Sequence, residues 1–229
     1  PEVGGETMSA QRSVLFDAQG PRARRITLGF NVLGLVLAAG ICWWILAGLA
    51  AKGQLDAEQW DFLFTSRAWR NFFLPGLEST LKAAGLAIVT SVVFGLVFGM
   101  GRLSGLAPVR WVCTVIVEFF RAVPVLLMMI FFYLWLGGLG VVSPRQLPLY
   151  AVVLGLTLYN GSVIAELVRS GVQQLPRGQG EAGLALGLSR AQVLRIVQLP
   201  QALVAMLPSL LSQFVVILKD TALGYIITY

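Results

Sequence analysis

Polar residues that could do chemistry stand at a few places inside long apolar runs. Glu118 and Arg121 lie three apart, about one helical turn, so a carboxylate and a guanidinium share a face and can pair. Counted along a straight helix from Arg110, Arg121 falls about 16 Å in, near mid-bilayer, where a cation must be paired or face a polar cavity. Pro124 follows closely, freeing carbonyls of the preceding turn and permitting a kink. Lys219 and Asp220 form a second charged site inside an apolar run, followed by Thr221 and Gly224, residues that allow a broken helix lining a cavity. Asn160 sits in the middle of a third run and can bond across helices or to a ligand; Glu166 and Arg169, three apart at its end, can pair. Guanidinium and ammonium groups are natural partners of a carboxylate. Arg121 and Lys219 are therefore candidates to hold an anionic substrate, with Glu118, Asn160, Asp220 and Thr221 along the same pathway. Each cation has an equally simple structural use: Arg121 pairs with Glu118, and Lys219 is neutralised by Asp220.

Other chemistries are not indicated. The chain has no histidine, and its two cysteines, Cys42 and Cys113, lie inside apolar runs, so neither a catalytic residue nor a metal site stands out. No phosphate-binding glycine loop surrounds Lys52, Lys82 or Lys219. Energy for any active process must come from another subunit or an ion gradient.

A polar stretch, Glu181–Pro200, is set between apolar ones and reads as a helix–turn–helix. Gly187 suits the left-handed position that ends a short helix. Ser189 with Gln192 forms a capping-box pair that starts a second helix, and Pro200 is expected to stop it.

These features must be positioned by membrane helices. Of 229 residues, 57% are hydrophobic and 12% charged, with mean hydropathy +0.78, far from a soluble domain. Five apolar stretches are predicted as spans: Leu28–Ala51, Leu77–Met100, Val109–Leu136, Leu147–Leu167 and Leu203–Ile227. The fold class is an all-α polytopic membrane protein. Arg12, Arg22, Arg24, Arg25, Arg102, Arg110, Arg169, Arg177, Arg190 and Arg195 fall on one side, and Lys52, Arg67, Arg70 and Arg145 on the other. The richer side is cytoplasmic by the positive-inside rule, which places the N-terminus and the Glu181–Pro200 loop in the cytosol. A pI near 9.8 then needs no nucleic acid, only a basic face against the lipid bilayer. The organisation is a cytoplasmic tail 1–27, a transmembrane helix 28–51, an external loop 52–74 with Trp60 and Trp69 at headgroup level, and a helical domain 75–229 with a cytoplasmic loop 170–202. Gly95 and Gly99 give the second span a close-packing face.

Three motifs, in order, carry a family resemblance over about two thirds of the chain, from Pro75 to Tyr229. Glu181-Ala182, Gly187 and Val197-Gln198-Leu199-Pro200 resemble the EAA loop of ABC-importer permeases. Gly183 stands in place of a second alanine, at about 1 kcal/mol of helix propensity, and Val197 in place of isoleucine. Glu118–Pro124 and Lys219–Gly224 resemble segments of amino-acid permeases, with a flavour of the glutamate-uptake branch. The resemblance implies a type I ABC-importer permease-like bundle of about five transmembrane helices in this chain. It also implies a final core helix that is missing, and an extra first span. It implies a bacterial cytoplasmic-membrane transport subunit that is not itself an enzyme and holds no cofactor, with ATP and Mg on a separate cytosolic ABC ATPase dimer. A second permease subunit, identical or different, and an external solute-binding protein complete the implied assembly. The substrate implied is a polar amino acid, glutamate or aspartate. ATPase contact falls to Glu181, with Ala182, Leu184 and Leu188 as an apolar knob, Gly187 as the turn, and Leu199 and Pro200 closing the motif. Two other readings stay open: an ion-coupled secondary amino-acid transporter, and a membrane scaffold without transport.

Overall fold

The computed structural model describes residues 20–229. Arg12, used in the orientation argument, and most of the 1–27 tail lie outside the described residues. The chain divides into two compact units, Pro1–Trp69 and Arg70–Tyr229.

In the first unit, α1 (Pro21–Ala51) opens on a proline, whose missing N–H costs nothing there. None of its residues is buried, and its apolar side chains point in all directions, which suits a helix solvated by lipid. The expected external loop forms two short helices, α2 (Ala57–Phe64) and α3 (Ser66–Ala68). The Thr65 hydroxyl caps α3, accepting from the Ala68 N–H. The Trp60 and Trp69 indoles donate to the Gln54 and Leu63 carbonyls at 2.9 and 2.8 Å and keep their rings about half exposed.

In the second unit, α4 (Leu74–Arg102) is followed by α5 (Ala107–Ala122), α6 (Val125–Leu139) and α7 (Leu147–Gln174). Then come α8 (Arg177–Ala185), α9 (Arg190–Gln192), α10 (Leu199–Ala205) and α11 (Leu207–Asp220). A 3₁₀ segment, Thr221–Ile227, continues α11. Among the described residues four helices are long and apolar enough to cross a bilayer, five if α5 and α6 count as one broken span.

The third predicted span is not one helix. α5 and α6 meet at 98°, because Val123, next to Pro124, is forced out of the helical region into extended backbone (φ −83°, ψ 126°). The fourth runs to Gln174, beyond its predicted end at Leu167. The fifth is interrupted at Met206, just before Pro208, and again where the 3₁₀ segment begins.

α7 is the axis of this unit. Its buried positions, from Leu147 to Val172, lie on more than one face, and each face receives a different neighbour. One apolar cluster joins Ala83 and Ala87 of α4, Met129 of α6, Val152 and Leu156 of α7, and Ile217 of α11. A second joins Ile164, Val168 and Val172 to Ala202 and Met206. Lipid gives helices no hydrophobic reason to associate, so close fit must hold them together. The fit is close at the predicted α4 face: a Cβ on Gly95 would stand 2.4 Å from Ile164 Cγ2, and one on Gly99 2.8 Å from Val168 Cβ.

Gly95→Leu and Gly99→Leu should therefore each lower stability by about 1–3 kcal/mol through overpacking, read as a lower thermal midpoint in detergent. Gly85→Leu, on the same helix but facing open space, should leave the midpoint unchanged.

Candidate functional site

The loop between α7 and α11 is a hairpin built from local rules. Pro176 starts α8, and Gly187 ends it at φ +82°. The Gly187 N–H donates to Leu184 O (2.9 Å) and the Leu188 N–H to Gly183 O (3.2 Å), the paired bonds of a Schellman turn. The predicted capping box is present: the Ser189 N–H donates to Gln192 Oε1 (2.8 Å) and the Gln192 N–H to Ser189 Oγ (3.4 Å). Gly183 is buried, and a Cβ there would meet Val193 Cγ2 at 2.8 Å, so the departure from alanine lets the two arms close against each other. Gln201 Nε2 donates to Gln179 Oε1 (3.2 Å), tying the base of the hairpin.

Pro200 does not stop the second arm, contrary to expectation. Val193–Gln198 is wound as a π-helix that runs directly into α10, with the Leu199 N–H donating to Leu194 O five residues back. The wider turn carries the chain past a proline that has no N–H to give. Gln201 Nε2 also bonds Val197 O at 2.8 Å.

Of the residues assigned to contact, Glu181, Ala182, Leu184, Gly187 and Pro200 are exposed, whereas Leu188 and Leu199 are half-buried. The most exposed apolar side chain of the hairpin is one the sequence reading passed over, Leu186, at 83%. Its signal was positional: an apolar residue directly before a left-handed glycine has no further helical turn to pack against.

Beside the hairpin's root, α4, α5 and α7 bring five charges together. Arg102, treated as a loop cation in the sequence reading, is the centre, with a side chain only 7% exposed. Its Nη2 donates to Glu118 Oε1 at 2.9 Å. Its Nη1 lies 2.7 Å from Glu166 Oε2, a contact between charges rather than an aligned hydrogen bond. Arg121 Nη1 reaches Glu118 Oε1 at 3.4 Å and Glu166 Oε2 at 3.6 Å. Arg169 Nε donates to Glu166 Oε2 at 3.2 Å, as the three-residue spacing predicted. The signal for Arg102 was its spacing from Gly95 and Gly99, which puts it on the face of α4 that meets α7.

This geometry revises the depth given to Arg121. α5 runs across the direction of α6, so its rise does not measure a path through the bilayer. Arg121 instead stands level with Arg102, the last residue of α4, and near the end of α7. Three arginines face two carboxylates, leaving the cluster one positive charge in excess, and Arg121 is its most exposed arginine at 36%.

The remaining polar residues sit elsewhere on α7 and α11. Asn160 is fully buried; its Nδ2 donates to Leu156 O (3.1 Å) and its Oδ1 accepts from Gln213 Nε2 on α11. Lys219 is exposed, Asp220 is half-buried, and Thr221 is buried with its hydroxyl donating to Leu218 O at 2.7 Å. Among the described residues every ion pair lies in the five-charge cluster, so Lys219 and Asp220 do not pair with each other. The segment after Lys219 packs on Val152, near the start of α7. From Val152 to Glu166 is about 21 Å along a helix, so Lys219 and Arg121 belong to opposite ends of the bundle.

The chain is similar to known proteins. The glutamate transport system permease protein GluD of Corynebacterium glutamicum is 50% identical over 181 residues, which is 79% of this chain and 66% of that protein. The glutamate/aspartate import permease protein GltK of Escherichia coli O157:H7 is 34% identical, over 69% of this chain and 72% of its own length. A solved amino acid ABC transporter with histidines superposes with TM-score 0.62 at 32% identity, over 70% of this chain and 74% of that one. Residues 91–229 match the family model described as "Binding-protein-dependent transport system inner membrane component". That match takes in α4 from Ser91 onward through α11, with all five residues of the charged cluster and the whole hairpin: the chain belongs to the family of binding-protein-dependent transport system inner membrane components.

Proposed function

We propose that this chain forms part of the translocation pathway of an ABC importer for an acidic amino acid, driven by a separate cytosolic ATPase through the α8–α10 hairpin. The observation that carries the coupling role is a set of apolar side chains, Ala182, Leu184 and Leu186, left exposed around the tip of a hairpin whose turn is satisfied internally. A surface of that kind, rimmed by Glu181, suits insertion into a groove of a soluble partner. Leu188 is half-buried beside the turn, and Leu199 packs on the apolar cluster around Val168 and Ala202. ATP and Mg belong to that partner, an external binding protein delivers the amino acid, and a second permease subunit completes the pathway.

The relatives that transport glutamate, and the cationic excess of the cluster, support an acidic substrate. Arg121 and Lys219, being far apart, act on the carboxylate in succession rather than together. The N-terminus and the hairpin face the cytosol on this reading, which the distribution of arginines supports.

In reconstituted vesicles containing the full transporter, Leu186→Asp and Gly187→Val should reduce ATP-driven glutamate uptake and substrate-stimulated ATP hydrolysis at least tenfold. Valine at a left-handed position costs about 1–2 kcal/mol, so Leu186→Asp, which leaves the turn intact, separates coupling from folding. Undiminished coupling in both variants would remove the hairpin from the power stroke.

Glu166→Gln should destabilise the protein by about 3 kcal/mol, because Arg102 stays buried with half its compensation gone. Arg121→Ala, at the open edge, should cost little stability and weaken glutamate uptake several-fold. Wild-type uptake affinity in Arg121→Ala would assign that arginine to packing alone.

A further inference from the structure

A cleft of about 610 Å³ opens between the last turn of α4, the start of α5 and the second arm of the hairpin. Arg110, Arg190 and Arg195 line it, all exposed, and no carboxylate does. None of the three belongs to an ion pair within the described residues, where every such pair uses Arg102, Arg121 or Arg169. Arg110 is held in place by donating to Ser104 O at 3.1 Å. Three unopposed guanidinium groups around one cleft leave a local field that favours an anion with several oxygen acceptors.

The rest of the lining decides what carries that anion. Val97, Met100 and Leu103 form an apolar wall. From Val97 an exposed stripe continues along one face of α4 through Val93, Val89 and Leu86, with Val97, Val93 and Val89 each more than half exposed. Spacings of four, four and three residues keep these side chains on one side of the helix. A soluble phosphate would use the arginines and leave the stripe unexplained. A phospholipid uses both, its phosphate at the arginines and an acyl chain along the stripe.

We propose that this cleft is a binding site for an anionic phospholipid headgroup, with one acyl chain lying along α4. The site is lined by both the root of α5 and the second arm of the hairpin, so the lipid bridges the two. Only the placement of the cleft at the inner leaflet rests on the orientation proposed above; the chemistry of the site does not.

The test reads bound lipid rather than transport, so a failed uptake assay leaves it intact. The full transporter is purified from bilayers of equal phosphatidylglycerol and phosphatidylcholine, and retained lipid is identified by native mass spectrometry. Wild type should retain phosphatidylglycerol selectively. Each of Arg110→Gln, Arg190→Gln and Arg195→Gln should reduce that retention about fivefold, as expected for one cation near an anionic headgroup. The triple Arg→Lys variant, which keeps the charges but gives up the Ser104 bond, should keep most of it and guards against a folding artefact. Equal retention of the two lipids, or retention unaffected by the triple Arg→Gln change, overturns the proposal. Displacement of the lipid by millimolar inorganic phosphate would reassign the cleft to a soluble anion. A photo-crosslinker at Ala191 should label lipid; a polypeptide adduct there would show that a protein subunit fills the cleft instead.

Discussion

The close approach of α4 to α7 is the contact on which the other features depend. Two helices in lipid gain nothing from hiding apolar surface, so they stay together only where their backbones can come near enough for dense packing. Gly95 and Gly99 permit that: the place of the missing Cβ at Gly99 is 3.0 Å from the Ala165 carbonyl. One turn further along α4 stands Arg102, and the short interhelical distance removes its guanidinium from solvent. A desolvated cation demands carboxylates, and Glu118 and Glu166 supply them from α5 and α7. Steric fit and charge thus fix one register between α4 and α7. A slip of either helix would lose both at once.

From that fixed axis the hairpin projects as a stiff body. Its first arm ends in two backbone bonds around Gly187, and its second begins with a reciprocal cap at Ser189. Polar backbone groups at the tip are therefore satisfied without help from a partner. The exposed face is left free to be apolar. The π-helical turn over Val193–Gln198 extends the second arm past Pro200 into α10, and the Met206 N–H still bonds Ala202 O at the junction with α11. The tip is thus joined to α11 by a nearly continuous helical rod, and Met206 lies against Gly171 of α7.

How much of this was legible in the sequence follows from how local each determinant is. The caps at Gly187 and Ser189 depend on residues within a few positions, and they formed as the residue types required. The glycine face of α4, the Glu118–Arg121 pair and the Glu166–Arg169 pair are periodic features of single helices, and they too were readable. Long-range geometry was not. Pro124 announced a kink, but a kink's size is set by what the two helices pack against, and 98° turns a supposed span into two pieces. That one angle moved Arg121 from the middle of the bilayer to the end of the bundle. Arg102 was misread for a related reason: loop and buried arginines look alike until the neighbouring helix is placed. Pro200 shows the opposite failure, where a strong local rule was met by rewinding the helix rather than ending it.

The separation of the two candidate cations bears on how selectivity can work in such a bundle. Lys219 sits where α11 gives way to the 3₁₀ segment near the start of α7, whereas Arg121 sits at the far end. One amino acid is much shorter than the about 21 Å of α7 between those levels, so no single bound pose satisfies both. Tight binding at either point would also oppose release, and a pathway needs sites that are attractive without being final. On the proposed function, the cluster would meet that need. Glu118 and Glu166 already hold most of the arginine charge, so a carboxylate passing there would compete with them for Arg121 and gain only the small excess. Anionic substrates would thereby be favoured over cationic ones at little cost in residence time. Fine discrimination between anions would then fall to contacts outside this cluster.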